Sequence, residues 1–360
     1  MGASVRVETG FHQRMSKGVR LGDASEITRL RELSARVGSD PLLTQASTGN
    51  SSVKLGGVLW IKASGEWMAD SMRKDILIPL DLAEVRECVN RDVDPAARHT
   101  RASVQTAMHA VMPHRVVLHV HCVNTIAWAV RLDAPTRLER LLDGLRWQWI
   151  PYVPSGMPLA EKMEKALALS PNTDVFVLGN HGLVVGGEDC DAAEDLLAEV
   201  RRRVAIPPRG AQTADYDALE ELADGSAWNL PEDAEVHALG TDAVSREVLL
   251  NGFLYPCQAV LSNSNRPGLF RAIRLSERAD QWKSRYSTRP FLIVEGCGVL
   301  VRGGMTTAEH KVMSGLAQVV RRIHSSAPIR CLSEAEVARS RVTACRYRET
   351  SQASHGNSAR

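Results

Sequence analysis

Apolar residues along this chain follow two spacings, and the spacing changes mark the elements. Ile27, Leu30, Leu33 and Val37 recur every three or four positions. Asp23-Ala-Ser-Glu26 before them has the form of a capping box and Gly38 of a C-terminal stop, so the spacing predicts an amphipathic helix between them. Strands are predicted around Val58–Lys62, Ile76–Leu80, Val116–Val120, Val175–Gly179 and Leu183–Val185, where β-branched and apolar residues run together between turn residues. Helical spacing returns at Leu82–Val89, Arg101–Met112 (closed by Pro113), Ile126–Val130, Leu159–Leu169 and Ala192–Val204. The Leu- and Trp-bearing stretch Leu138–Trp149 reads as core or subunit contact, and residues 1–22 show no periodicity and read as an N-terminal arm. Strands alternating with helices predict an α/β domain over residues 23–205.

At Pro207-Pro-Arg-Gly the texture becomes polar, which predicts a linker over residues 206–230. Beyond it, Pro290-Phe-Leu-Ile-Val-Glu-Gly-Cys-Gly-Val-Leu-Val301 echoes Asp174-Val-Phe-Val-Leu-Gly-Asn-His-Gly-Leu-Val-Val185, and a helix is expected after each. Upstream, Tyr255-Pro-Cys-Gln-Ala-Val-Leu-Ser262 parallels Met112-Pro-His-Arg-Val-Val-Leu-His119. A smaller C-terminal α/β domain, residues 231–348, is therefore expected to be a degenerate repeat of the first. In that alignment Ser262, Ser264 and Cys297 stand opposite His119, His121 and His181. Gly296-Cys-Gly298 is no dinucleotide fingerprint, since the third glycine is missing and strand residues follow it. The Ser/Gln/His/Asn-rich end, residues 349–360, is expected to be disordered.

Composition narrows the function classes. With 360 residues, 44% hydrophobic and 24% charged, the chain has material for one large domain or two. A net charge of +2 makes no electrostatic case for nucleic acid or a membrane surface. No apolar run has membrane-spanning length and the start lacks the apolar core of a signal peptide, so a cytoplasmic protein is expected. Seven scattered cysteines without a Cys-x-x-Cys pair read as reduced thiols.

The chemistry gathers at Arg115-Val-Val-Leu-His-Val-His121. Side chains on a strand alternate, so His119 and His121 leave it on one face. Two imidazoles on a rigid strand are half of a metal site, although two strand histidines bonded to nearby carbonyls would look the same. His181, in the turn Asn180-His181-Gly182, supplies a third and reverses that balance. Three neutral imidazoles with an open position suit Zn²⁺ or another divalent ion. Two Gly/Ser/Asn turns, Thr48-Gly-Asn-Ser-Ser52 and Ala63-Ser-Gly-Glu66, can turn N–H groups and hydroxyls toward an anion such as phosphate. Gln105 stands on the helix that feeds the histidine strand and is placed to face a metal.

Assembled, these residues resemble the class II aldolase/adducin family, over roughly residues 25–205. The resemblance is carried by Gly49, Asn50 and Ser52, by Lys62-Ala-Ser-Gly65, by His119-x-His121 and by Asn180-His181-Gly182. Within the family, Trp60-Ile-Lys-Ala-Ser-Gly65 and His109-Ala-Val-Met-Pro-His-Arg115 are most similar to the aldolase portion of bifunctional aldolase/short-chain dehydrogenase proteins, although no dehydrogenase part follows. The resemblance implies a three-layer α/β/α domain around a mostly antiparallel sheet, a homo-oligomer that is usually a tetramer, and a zinc ion on His119, His121 and His181. It assigns phosphate or substrate binding to Asn50, Ser64, Gly65 and Ser103. The family's acid/base glutamate, in a Pro-Ser-x-Glu context, falls on Ala102-Ser-Val-Gln105.

Breaking a C–C bond beside a hydroxyl leaves an enediolate, whose charge a chelating divalent cation stabilises, while a carboxylate moves the proton. Gln105 cannot move it, because an amide does not titrate. Three readings follow. Glu66, Asp70, a water or a tyrosine of a neighbouring subunit takes over as acid/base; or a related reaction, an epimerisation or dehydration, runs on the same metal site; or the chain is a non-catalytic, adducin-like assembly module. The expectation is an aldolase-type lyase acting on a small hydroxylated carbonyl compound, sugar or sugar-phosphate-like, with catalytic positions Gln105 and Glu66.

Overall fold

The computed structural model describes residues 21–261, 272–273 and 289–341. It opens on helix α1 (Leu21–Ser39), which buries Leu30, Leu33 and Val37. The helix has already begun before the expected capping box, so Asp23 lies in its first turn, where a carboxylate suits the positive end of the helix. Gly38 does not stop it. A Cβ there would stand 2.2 Å from the backbone nitrogen of Ala69, so the glycine serves close packing against the 3-10 turn Met68–Asp70.

The elements that follow are β1 (Asn50–Leu55), β2 (Val58–Lys62), β3 (Leu77–Asp81), α2 (Leu82–Asn90), α3 (Pro95–Arg98), α4 (Thr106–Val111), β4 (Val116–Val120), α5 (Val123–Ala129), α6 (Ala134–Leu141), β5 (Trp147–Ile150), α7 (Met157–Leu169), β6 (Val175–Leu178), β7 (Gly182–Gly187) and α8 (Cys190–Arg203). Seven strands form one sheet in the order β3-β2-β1-β4-β7-β6-β5, antiparallel throughout except for the parallel pair β5–β6. Alternation along the strands splits the core in two. Val116, Leu118 and Val120 pack with Leu30, Leu33, Leu197 and Val200 of α1 and α8. Val117 and Val184 pack with Met108, Leu159 and Met163 of α4 and α7. The expected three-layer α/β/α domain with a mostly antiparallel sheet is present.

Two segments differ from expectation. The helix predicted over Arg101–Met112 is present only from Thr106, because Ser103 bends the chain ahead of it: its carbonyl takes the N–H of Thr106 and its hydroxyl the N–H of Gln105. The predicted linker holds α9 (Tyr216–Ala223), capped by Asp215 and anchored by fully buried Leu219.

Beyond α9, β8 (Trp228–Asn229), α10 (Ala238–Thr241), α11 (Ala243–Leu250), α12 (Gln258–Leu261), β9 (Ala272–Ile273), β10 (Phe291–Val294), β11 (Gly298–Arg302) and α13 (Thr307–Val320) build the C-terminal part around a sheet ordered β8-β11-β10-β9. The hairpin β10–β11 followed by α13 matches the expected echo of β6–β7 and α8. The upstream echo does not: Gln258–Leu261 is helical, and β8 occupies the place beside β11 that β4 holds beside β7. Ser262, Ser264, residues 1–20 of the expected arm (1–22) and the tail (349–360) lie outside the described residues, while residues 21 and 22 of that arm already belong to α1. The C-terminal part is joined to the first by a shared core, in which Val123, Ile126 and Val130 of α5 pack with Phe253, Leu254, Leu316 and Val320. Among the described residues, no helix is long and apolar enough to cross a membrane.

Candidate metal centre

The alternation that places Val117 against α4 and α7 carries His119 and His121 to the same face, at the end of β4. The third histidine arrives by the hairpin β6–β7, whose turn holds Asn180 at φ 51°, a left-handed conformation that asparagine tolerates better than most residues. Gly182 lets this hairpin close. A Cβ there would lie 2.6 Å from the carbonyl oxygen of Val120 and within 3.5 Å of both strand imidazoles.

The three rings meet edge to face, with centroids 5.0 Å (His119–His121), 5.0 Å (His119–His181) and 5.2 Å (His121–His181) apart. All three are buried, and their ligating nitrogens lie within 4.8 Å of one another. Nε2 of His119 and Nε2 of His121 are 3.2 Å apart. Two nitrogens bound to one tetrahedral ion at about 2.0–2.1 Å would stand about 3.3–3.4 Å apart, so the spacing fits. Nδ1 of His119 donates to the carbonyl of Leu183 at 3.0 Å, which leaves its Nε2 with a free lone pair. Burial, and then the neighbouring imidazoles, holds His119 and His121 well below the ordinary value of 6.5, and burial lowers His181 to about 4. Three neutral rings with one nitrogen each inside this span fit a divalent cation such as Zn²⁺, once the proton between the Nε2 atoms of His119 and His121 is displaced.

Around them the structure gathers part of the expected set. The Asn50 amide donates to Ser103 Oγ at 3.1 Å and to Gln105 Oε1 at 2.8 Å, and Gln105 Nε2 reaches Nε2 of His181 at 3.4 Å. Asn50, Ser103, Gln105 and the histidines thus form one continuous polar cluster. Ser64, Gly65 and Glu66 sit on a half-exposed turn beside it, with Gly65 at φ 78°. The Ser64 N–H is already given to the carbonyl of Arg101, which leaves the Ser64 hydroxyl, rather than that N–H, for an anion. Among the described residues, no hydrogen bond or ion pair links the Glu66 carboxylate to the histidines, and Asp70 instead pairs with Arg73 and Lys74.

Several residues around the site were given no role of their own from sequence. Lys62, at the end of β2, is fully buried, its ammonium donating to the carbonyls of Ser47, Ala63 and Glu66. Burial lowers it to about 7, against the opposing charge of Glu66. A lysine closing an apolar strand was the one available sign. His109 accepts or donates at Ser52 Oγ through Nδ1 at 2.7 Å, and burial, with Lys54 and Lys62 nearby, pushes it down to about 3. Cys257, from the C-terminal part, stands 2.9 Å from Nδ1 of His121. No local spacing could have shown that contact.

With the geometry in place, the chain can be set beside known proteins. Residues 29–206 match the family described as Class II Aldolase and Adducin N-terminal domain. The uncharacterized oxidoreductase YuxG of Bacillus subtilis (strain 168) is 28% identical over 174 residues, spanning 42% of this chain and 25% of YuxG. The chain therefore spans about a quarter of the length of that curated relative. Among solved structures, the N-terminal class II aldolase domain of a conserved protein from Thermoplasma acidophilum is 23% identical, covering 50% of this chain and 92% of its own, with a TM-score of 0.44. The L-fuculose-1-phosphate aldolase from Thermus thermophilus is 19% identical, covering 50% and 91%, with a TM-score of 0.37.

Proposed function

Since the chain belongs, over residues 29–206, to the class II aldolase and adducin N-terminal domain family, we propose that it is a metal-dependent aldolase-type lyase. Its substrate would be a small hydroxylated carbonyl compound of the sugar or sugar-phosphate kind, and its working form a homo-oligomer in the cytoplasm, a tetramer by family likeness. The observation that carries this reading is the convergence of His119, His121 and His181 on one point.

These three side chains would hold Zn²⁺ or another divalent ion. When bound, the ion supplies stabilisation of the negative charge that develops on neighbouring oxygens as the C–C bond breaks. The protein's own groups do the positioning. Asn50 and Ser103 fix Gln105, whose amide offers a substrate oxygen a neutral hydrogen bond and no exchangeable acid proton. The turn carrying Ser64 and Gly65 would hold the unreactive, anionic or polar end, so that binding energy there orients the reacting carbon. Glu66, on that same turn, is the carboxylate assigned to proton transfer.

One observation favours a second reading. The expected carboxylate position beside His181 holds the Gln105 amide, which suits an epimerisation or dehydration with less need of a base there. Metal analysis of the purified protein, with an aldehyde-release screen over ketose phosphates and free ketoses, tests both. One bound divalent ion and released aldehyde support the lyase. A bound ion with isomerised or dehydrated product supports the second reading. A protein that binds no divalent ion and turns over nothing is the adducin-like assembly module.

A further inference from the structure

We infer that Cys257 is a positioning residue for the metal centre: its sulfur governs which nitrogen of His121 carries the proton, so the C-terminal part controls how tightly the N-terminal domain holds its ion. This rests on the reading of the three histidines as ligands.

The hydrogen bonds fix the proton positions one after another. The Leu183 carbonyl can only accept, so the proton of His119 is on Nδ1 and its Nε2 is bare. Nε2 of His121, 3.2 Å away, must then be the donor to it. That leaves Nδ1 of His121 without a proton, accepting from the Cys257 thiol at 2.9 Å. To ligate through Nε2, His121 has to lose that proton and carry one on Nδ1 instead, and the same sulfur must now accept. A thiol serves both states, since it has one S–H donor and acceptor lone pairs. A methyl group serves neither, and leaves a buried ring nitrogen unpaired whichever tautomer is present.

The segment bearing Cys257 is firmly held and touches a second ligand's neighbour. Phe253, Leu254, Tyr255 and Cys257 are buried in the core shared with α5, and the Gln258 side chain accepts the N–H of Tyr255 at 3.1 Å. From this segment the carbonyl of Leu254 accepts from Asn180 Nδ2 at 2.8 Å. Arg330 closes the same clamp, its carbonyl accepting from Asn180 Nδ2 at 2.9 Å and its guanidinium donating to Asn180 Oδ1 at 3.0 Å. Asn180 immediately precedes His181, so two of the three ligands are oriented from the C-terminal part, His121 directly and His181 through its neighbour.

The test is equilibrium titration of the full chain with Co²⁺ against a competing chelator, following the visible absorption bands of the bound ion. Wild type is compared with Cys257→Ala, Cys257→Val and Cys257→Ser, and circular dichroism reports the fold of each metal-free form. Wild type should bind one Co²⁺. The alanine and valine variants should fold and bind about 10–100-fold more weakly, the range found for partners of metal-bound histidines, with shifted bands. The serine variant, which keeps a donor and an acceptor, should restore affinity and spectrum. Folded alanine or valine variants that bind as wild type would overturn the inference, as would a serine variant as weak as they are. Wild type that takes up no Co²⁺ would instead remove the metal reading itself, a distinct outcome. If the alanine variant does not fold, the valine and serine pair decides.

Discussion

The two sheets share a pattern and differ in one function. Strands β4-β7-β6-β5 of the first run antiparallel, antiparallel and parallel, and β8-β11-β10-β9 of the second repeat both order and sense. In each, a tight turn ends on a residue followed by glycine: His181 before Gly182, Cys297 before Gly298. The segment 255–262, expected to echo β4, is helical instead over Gln258–Leu261. Among the described residues the candidate metal site belongs to the first sheet alone, where β4 is five residues long and carries His119 opposite Val184, whereas β8 stops at Asn229, opposite Val301. The space facing Gly298 is taken by His237, whose Nδ1 accepts the N–H of Val299 at 3.2 Å. A similar turn is present in both sheets; only in the first does a longer strand bring two histidines up to it.

The sharpest way to break that contrast is to exchange the turn residues. His181→Ala should lower metal affinity by more than about 100-fold, beyond the loss expected from a supporting partner alone. Cys297→His should create no second site, because among the described residues no paired imidazoles face it. Metal stoichiometry by elemental analysis checks both; two ions bound to the Cys297 variant would show the second scaffold to be competent after all.

Restoring a carboxylate acts on the next scale. Gln105→Glu would place a titratable group where Asn50 and His181 now hold an amide. If proton transfer limits turnover, aldehyde release should rise by about 10²–10⁴-fold, with metal stoichiometry unchanged. An unchanged rate would assign the proton to another group, Glu66 first.

Much of this contrast is legible in the amino-acid sequence, for reasons tied to distance along the chain. The strand alternation of Val117, His119 and His121 and the glycine beside His181 are local, so the three candidate ligands can be read directly. The polar turn at Ser103–Gln105 is hidden, because Val104, Met108, Val111 and Met112 give helical spacing while the Ser103 hydroxyl takes the Gln105 N–H. The α9 helix is hidden because it spans only eight residues and fully buries only Leu219, with Leu222 and Ala223 partly buried beside it, too short a run to set a period. Cys257 cannot be placed from sequence at all, since its contact with His121 depends on how two domains dock. The same holds for Asn180 and Arg330.

Glycine substitution separates packing from chemistry more finely. Gly182→Ala puts a Cβ against the Val120 carbonyl, and Gly298→Ala, at φ 146°, one against the His237 ring. Each should cost about 1–3 kcal/mol of stability by overpacking. Only the first should also weaken metal binding, because only its hairpin carries a ligand. Urea unfolding and Co²⁺ titration of both variants make the comparison; equal metal affinity in the two would detach the hairpin's closure from the site.

The smallest effect is a matter of acid. The first domain buries four histidines held below their ordinary value, His109, His119, His121 and His181. For His109 the folded value is about 3 against an ordinary 6.5, so below pH 6.5 the unfolded chain binds a proton that the folded chain refuses. Its contribution is therefore fully present above pH 6.5 and is lost progressively as the pH falls toward 3, at a slope approaching about 1.4 kcal/mol per pH unit. Lys62, folded at about 7 against 10.5, acts in the separate window between those values and leaves this one undisturbed. His109→Gln, a neutral side chain, should remove about one proton from the slope of urea stability between pH 6.5 and 5 in the metal-free protein. A slope identical to wild type would mean that His109 already takes its proton inside the fold, and that burial beside Ser52 does not keep it neutral.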